Sequence, residues 1–349
     1  MNITEKNYLE NGYTGLSNLG NTCFLNSCVQ ILVHTLELHK IFNNPAVVAK
    51  LETNKKMDEA LIMTEWKTLT ELMWSGNGAV KPLKFVTIIH EVAQRKDIEI
   101  FTGWAQNDVT EFLRFIVNCF HTSIARSVKV NIKGKAKTNI DSMALKCCDM
   151  LSAIYSKEYS EIYDMFYGIC MTELKTPGGE ICSQKPEHYF IIDLPIPTEN
   201  PKITLYDCLD LFIKEELLTG DNQWFNEKTG LKEDVNKRNY FWNFPNILII
   251  TLKRFSVNHN RISRINEHID CPLSGLDLSK YVEGYDAKKY VYDLYGVSNH
   301  MGGPMGGHYT SYVKTVKDWI HYNDERVEKI SSETVISPMT YCLFYKIRE

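Results

Sequence analysis

Within the stretch Gly15 to Ser27, GLSNLGNTCFLNS, turn-forming residues lead up to Cys23 and an apolar pattern of helical spacing follows it. Phe24, Cys28, Ile31, Leu32 and Thr35 recur at that spacing and predict a helix that begins at Cys23 and buries one face. A thiol at a helix N-terminus lies beside unpaired backbone N–H groups and the positive end of the helix dipole, and both favour thiolate. Cys23 is therefore a candidate nucleophile. A lone cysteine is more often a small buried residue, but Gly15, Gly20 and the neighbouring asparagines free the backbone here to converge on a reacting oxygen.

A nucleophilic cysteine needs a base, and the base needs an orienting partner. His308 follows the run Gly302-Gly303-Pro304-Met305-Gly306-Gly307, read as a loop able to move aside, and begins an aromatic, β-branched stretch able to hold an imidazole. His300 is the competing base, placed before the glycines. The orienter must accept a hydrogen bond from the imidazole, and the segment Trp319 to Asp324 offers both the Asn323 amide and the Asp324 carboxylate one hairpin after His308.

The elements that must position these groups divide along the chain. Helical periodicity continues around 61–73, stopped by Gly76, then after Pro82, and again over 107–120. Strand-like segments follow at 189–195, 247–252, 290–297, 309–316 and 341–347, with a helical segment at 205–218 between them. No repeat or low-complexity linker appears, and an α+β domain is expected.

The 349 residues carry 39 basic and 43 acidic side chains, a net charge of -4, which implies no nucleic-acid or membrane partner. The basic stretch 126–137 reads as a solvated loop or hairpin. No apolar run approaches a membrane span and the start resembles no signal peptide, so an intracellular protein is expected, cytoplasmic or nuclear. The ten cysteines are then reduced, and the Asn2-Ile3-Thr4 sequon has no meaning there. The C-terminus carries no prenylation box.

Five stretches together resemble the ubiquitin-specific proteases over nearly the whole chain. Gly15 to Ser27 is similar to the family's Cys box, and Gly306-Gly307-His308-Tyr309 with Trp319 to Asp324 is similar to its His box. Gln106 to Phe112, Leu252-Lys253-Arg254-Phe255 and Tyr341 to Tyr345 fall in the family's order. The resemblance implies a papain-like cysteine protease with a helical thumb, an antiparallel-sheet palm and β fingers. It places an N-terminal extension at 1–13 and the catalytic domain at 14–349, divided at about 14–160, 163–244 and 245–349. The reaction implied is cleavage after the C-terminal glycine of ubiquitin, with Cys23 as nucleophile, His308 as base and acid, and Asn323 as orienter. Asn18 would stabilise the oxyanion, with Asp324 assisting. Gln106, Asp108, Glu111 and Tyr309 would bind the substrate tail, its arginines meeting the two carboxylates. Asp108 and Glu111 also fit a helix cap, a role that suits Asp108 better than Glu111. Ubiquitin and its conjugates are the implied partners of a monomer without cofactors.

One departure from the family pattern concerns metal. Paired Cys-x-x-Cys motifs of a zinc site are absent: Cys170 and Cys182 stand far apart, Cys147 and Cys148 are adjacent, and 224–229 holds no cysteine. No structural zinc is expected. The glycine run also suggests a free enzyme in which Cys23 and His308 are not hydrogen-bonded. Competing functions are a protease for another ubiquitin-like modifier, a catalytically inert ubiquitin-binding module and a general papain-type protease.

Overall fold

The computed structural model of this chain describes residues 12–198, 202–258, 261–303 and 306–348. Residues 1–11, and with them the sequon and most of the expected extension, lie outside that set.

Helices fill the chain up to Phe166: α1 (Cys23–Val33), α2 (Leu36–Phe42), α3 (Pro45–Thr53), α4 (Asp58–Trp74), α5 (Leu83–Arg95), α6 (Val109–Ile124), α7 (Asn139–Tyr155) and α8 (Glu161–Phe166). Strands β1 (Thr14–Leu16) and β2 (Gly78–Val80) pair in parallel among them. Caps set several boundaries: Asn44 precedes Pro45 at the start of α3, and Asp108 accepts from Thr110 N–H at 2.7 Å to open α6.

Helix α1 departs from the one-faced pattern, because every residue from Cys23 to Val33 is buried. Its polar side chains donate to partners around it, while Asn26 Oδ1 and Gln30 Oε1 stay unpaired among the described residues. Asn26 Nδ2 donates to Asp324 Oδ1 at 2.7 Å, Ser27 Oγ donates to the Thr310 carbonyl at 3.0 Å, and Gln30 Nε2 donates to the Thr14 carbonyl at 2.8 Å. These bonds fasten α1 to β1 and to the sheet behind it, and so fix its first residue, Cys23.

Strands dominate after Gly168: β3 (Gly168–Lys175), β4 (Ile181–Tyr189), β5 (Ile191–Leu194), β6 (Ile203–Thr204), helix α9 (Leu205–Phe212), β7 (Glu216–Leu218), β8 (Trp224–Asn226), β9 (Leu231–Glu233) and β10 (Val235–Asn243). Then come β11 (Ile247–Leu252), β12 (Phe255–Asn258), β13 (Arg261–Arg264), β14 (Ile269–Asp270), β15 (Leu276–Asp277), β16 (Val291–Gly303), β17 (Gly306–Lys314), β18 (Trp319–Asn323), β19 (Arg326–Ile330) and β20 (Thr340–Ile347). An eight-stranded sheet runs β19-β18-β17-β16-β20-β11-β5, with β15 beside β16, and only its β11–β5 pair is parallel. A separate four-stranded antiparallel sheet runs β4-β3-β10-β7.

The segment 205–218 is not one helix. Its buried stripe Leu205, Cys208, Leu209 ends before Lys214-Glu215-Glu216, and Glu216–Leu218 becomes an edge strand on β10. The basic stretch forms no hairpin; Arg126 bridges to Tyr159 and its guanidinium pairs with Glu161 at 2.7 and 3.0 Å. Cys170 lies opposite Glu187 on the β3–β4 ladder, whereas Cys182 lies at the ladder's far end. At the tip of this lobe, the β8–β9 hairpin is closed by Asn226 and Thr229 donating to Glu233 at 3.1 and 2.7 Å.

Candidate active site

The wall that carries Cys23 is built around one amide and one carboxylate. Asn18 Oδ1 accepts from the backbone N–H of Gly20 at 3.0 Å and of Thr22 at 3.2 Å, which folds the loop before the nucleophile. That leaves Asn18 Nδ2 as the donor, and it meets Asp324 Oδ2 at 3.0 Å. The second hydrogen of Nδ2 remains on the exposed side of this residue. Asp324 adopts φ +52° in the β18–β19 turn and also holds Asn26, while its carbonyl accepts from Leu16 N–H at 2.9 Å. Gly15, expected to give the loop freedom, instead permits contact: a Cβ there would sit 2.5 Å from the Glu325 carbonyl oxygen. Positive φ is needed further on, at Gly20 (φ +104°) and Asn21 (φ +59°).

His308 lies on β17, directly before Tyr309, whose backbone N–H is directed at the Cys23 sulfur. Cys23 and the β17 segment that carries this histidine are thus neighbours. The imidazole Nε2 and Asn323 Oδ1 are 2.7 Å apart, and since the amide oxygen only accepts, Nε2 carries the proton and Nδ1 is the basic nitrogen. Among the described residues no hydrogen bond joins Nδ1 to Cys23. His300 is excluded as the base. It is 4% exposed, its Nδ1 accepts from Arg264 Nη1 at 2.8 Å, and burial followed by the Arg264 charge lowers its pKa to about 4.

The helix N-terminus does not win at Cys23. Burial raises the thiol above its ordinary value; the backbone N–H groups of Tyr309, Phe24 and Cys23 pull it down, the nearby Asp324 charge pushes it up, and burial prevails. Burial thus holds the Cys23 thiol above its ordinary value in the free site.

The glycine run is a hairpin rather than a loose loop. β16 continues to Gly303 and β17 resumes at Gly306, with Gly302 opposite Gly307, while residues 304 and 305 lie outside the described set. Gln106 spans the cleft: its Oε1 accepts from Gly307 N–H at 2.8 Å and its Nε2 donates to Asn21 Oδ1 at 3.3 Å. Asp108 is fully engaged, its Oδ1 by the Thr110 cap and its Oδ2 by the hydroxyls of Tyr309 at 3.1 Å and Tyr341 at 2.7 Å. Glu111 stands apart on the exposed face of α6. With Arg114, Tyr167 and Phe190 it lines an open groove of about 600 Å³ between the helices and the four-stranded sheet. A slot of about 330 Å³ is lined by Gln106, Asp108, Phe255, His300, Gly307 and Tyr309.

Sequence reasoning missed Asn26, Tyr341 and Arg264. Tyr341 lay inside a stretch already singled out, but nothing in the local pattern points Asn26 at Asp324 or Arg264 at His300.

A buried thiol and an imidazole held by an amide thus lie on an α+β scaffold. The family model described as "Ubiquitin carboxyl-terminal hydrolase" matches residues 14–345. The chain is 37% identical over 343 residues to Ubiquitin carboxyl-terminal hydrolase 2 of Gallus gallus, covering 96% of this chain and 94% of that protein. It is 34% identical over 344 residues to the Bos taurus protein of the same name, covering 96% of this chain but spanning only 55% of that relative. Among solved structures, the SAGA DUB module containing Ubp8 bound to monoubiquitin superposes with TM-score 0.72 at 22% identity, over 97% of this chain and 70% of that one. The chain belongs to the ubiquitin carboxyl-terminal hydrolase family and has its ubiquitin-specific-protease fold.

Proposed function

We propose that this chain is a deubiquitinase that hydrolyses the bond after the C-terminal glycine of ubiquitin, using Cys23, His308, Asn323 and Asn18. The observation that supports the reading is the Asn323–His308 bond of 2.7 Å, which commits Nε2 and leaves Nδ1 free to act as base. In the acylation step Cys23 Sγ bonds to the carbonyl carbon while its proton passes to His308 Nδ1. The developing oxyanion accepts from the free hydrogen of Asn18 Nδ2 and from the Cys23 backbone N–H. Collapse breaks the C–N bond as His308 returns the proton to the leaving amine. Water then attacks the thioester, losing a proton to the same nitrogen, and the ubiquitin carboxylate departs with the thiol restored. No cofactor is required.

On this reading Asp324 is a positioning residue, since it holds Asn18 through Oδ2. The tail lies in the slot beside Gln106 and Tyr309, with its basic side chains toward Glu111; Asp108 serves the site through its tyrosines. The lobes at 14–160, 163–244 and 245–349 act as thumb, fingers and palm. The compartment proposed is cytoplasmic or nuclear, and the working form a monomer. Ten free cysteines support a reducing compartment, and among the described residues no helix is long and apolar enough to cross a membrane.

Electrophile-tipped ubiquitin tests the reading. A mass adduct with the wild type and none with Cys23→Ala is expected. An adduct only with another ubiquitin-like probe would transfer the activity to that modifier, and none with any probe would leave a binding module.

A further inference from the structure

The hairpin that leads into His308 projects past the sheet that should support it. β16 pairs with β20 only as far as Asn299 opposite Thr340, after which His300 N–H donates to the Met339 carbonyl at 2.9 Å. Beyond that point no strand among the described residues lies beside the outer edge of β16. The carbonyls of His300 and Gly302 lie on one edge, two residues apart, as alternate carbonyls of a strand do. An unpaired strand edge of this kind is poorly fixed unless donors come from elsewhere.

Those donors come from Arg264, the last residue of β13. Its Nη2 donates to the His300 carbonyl at 2.7 Å, and its Nη1 donates to the Gly302 carbonyl at 3.2 Å and to His300 Nδ1 at 2.8 Å. The guanidinium carbon lies 5.6 Å from the Phe255 ring centroid, so the β12–β13 hairpin presents it from a fixed platform. Among the described residues Arg264 meets no carboxylate within ion-pair distance. The held imidazole is in turn packed 4.6 Å from the Tyr309 ring, and Tyr309 supplies the N–H directed at Cys23. Gly307 completes the fit, because a Cβ there would sit 2.4 Å from His300 Nε2.

We propose that Arg264 is a positioning residue for the hydrolysis, a clasp that holds the glycine hairpin against the β12–β13 hairpin and so shapes the slot lined by His300, Gly307 and Tyr309. The proposal rests on the deubiquitinase reading for its kinetic consequence, but the clasp itself has a readout independent of activity. Arg is required because two carbonyls and a ring nitrogen accept from one planar group; a lysine ammonium cannot span them with the same geometry. The groups that face His300 are Arg264 from β13, Asp108 at the cap of α6, Tyr309 from β17, Tyr341 from β20 and the neutral Phe255 from β12. Removing Arg264 leaves Asp108 as the nearest charge, so His300 gains a proton more readily.

The test compares wild type with Arg264→Met and Arg264→Lys. Steady-state hydrolysis of a fluorogenic ubiquitin amide is expected to show KM raised about tenfold in Arg264→Met with kcat changed less than about threefold, and a partial rescue in Arg264→Lys. NMR titration of His300 is expected to show its pKa rising from about 4 in Arg264→Met but staying below 6.5, because burial, the larger cause, remains. Hydrogen exchange at Gly303 and Gly307 should quicken while the melting temperature holds. An unchanged KM with unchanged His300 titration overturns the clasp. A shifted titration without any ubiquitin hydrolysis by the wild type sinks the deubiquitinase reading and leaves the clasp standing.

Discussion

The two walls of the cleft are held by opposite means. Around Cys23 the holding groups form a closed network in which Asp324 joins Asn18, Asn26 and Leu16, three points on one continuous segment. Around His308 the ladder carries the imidazole and Asn323, but its glycine end is held by single side chains from distant segments, Gln106 on one side and Arg264 on the other. A closed network fails as a unit, whereas a clasp releases bond by bond. Motion that admits a substrate is therefore expected on the His308 side, with the Cys23 side serving as the fixed reference.

The largest effect expected breaks the fixed wall at its catalytic end. Asn18→Ala removes the proposed side-chain oxyanion donor and the acceptor that folds the loop, and kcat should fall about a hundredfold to a thousandfold with KM little changed. Single-turnover kinetics with a ubiquitin amide checks it, and a loss below tenfold would remove Asn18 from the oxyanion role. Next comes Gly15→Ala, which places a Cβ against the Glu325 carbonyl and pushes the Asp324 turn off β1. Overpacking of this kind costs about 1–3 kcal/mol, so both the melting temperature and kcat should drop. If only the melting temperature moves, the network is structural and does not position Asn18. Away from both walls, on the exposed face of α6, Glu111→Gln should raise KM about threefold and leave kcat alone, the size of one exposed ion pair.

How much of this was legible in the sequence follows the same division. A single stretch, Gly15 to Ser27, carries both Cys23 and Asn18, the residues proposed as nucleophile and oxyanion donor. The His308–Asn323 pair was readable because one hairpin turn separates the two residues, and β17–β18 pairing brings them to the same end. Helices near Cys23 followed from periodicity, but the burial of α1 on all sides did not, since its polar residues find partners on β1, β16 and the Asp324 turn rather than in water. The breakdown of 205–218 into a helix and a strand is decided by β10, which offers an edge that no local propensity encodes. Burial also reversed the expected thiolate at Cys23, because the desolvation cost depends on tertiary packing and the helix dipole does not. Arg264 carried no signal at all: its acceptors are backbone carbonyls, and a carbonyl has no letter in a sequence.

Each wall contains a buried histidine, and acid separates the two constructions with the smallest effect near neutrality. His34 ends α1, with Nδ1 2.7 Å from the Gln30 carbonyl, and burial lowers its pKa from 6.5 to about 4. His300 reaches about 4 by burial with Arg264 as the second cause. In the unfolded chain both imidazoles take a proton near 6.5, whereas in the fold they stay neutral to about 4. Below 6.5 the unfolded state binds more protons, so this contribution is fully present above that pH and is lost as pH falls toward about 4. Urea unfolding at a series of pH values should show no change above neutrality and a declining midpoint below it. His34→Gln should flatten that decline by the share of one histidine. Arg264→Met should flatten it less, since burial, the larger cause at His300, remains. Equal slopes in wild type and His34→Gln would mean that His34 is charged inside the fold, and that the fixed wall tolerates a buried cation.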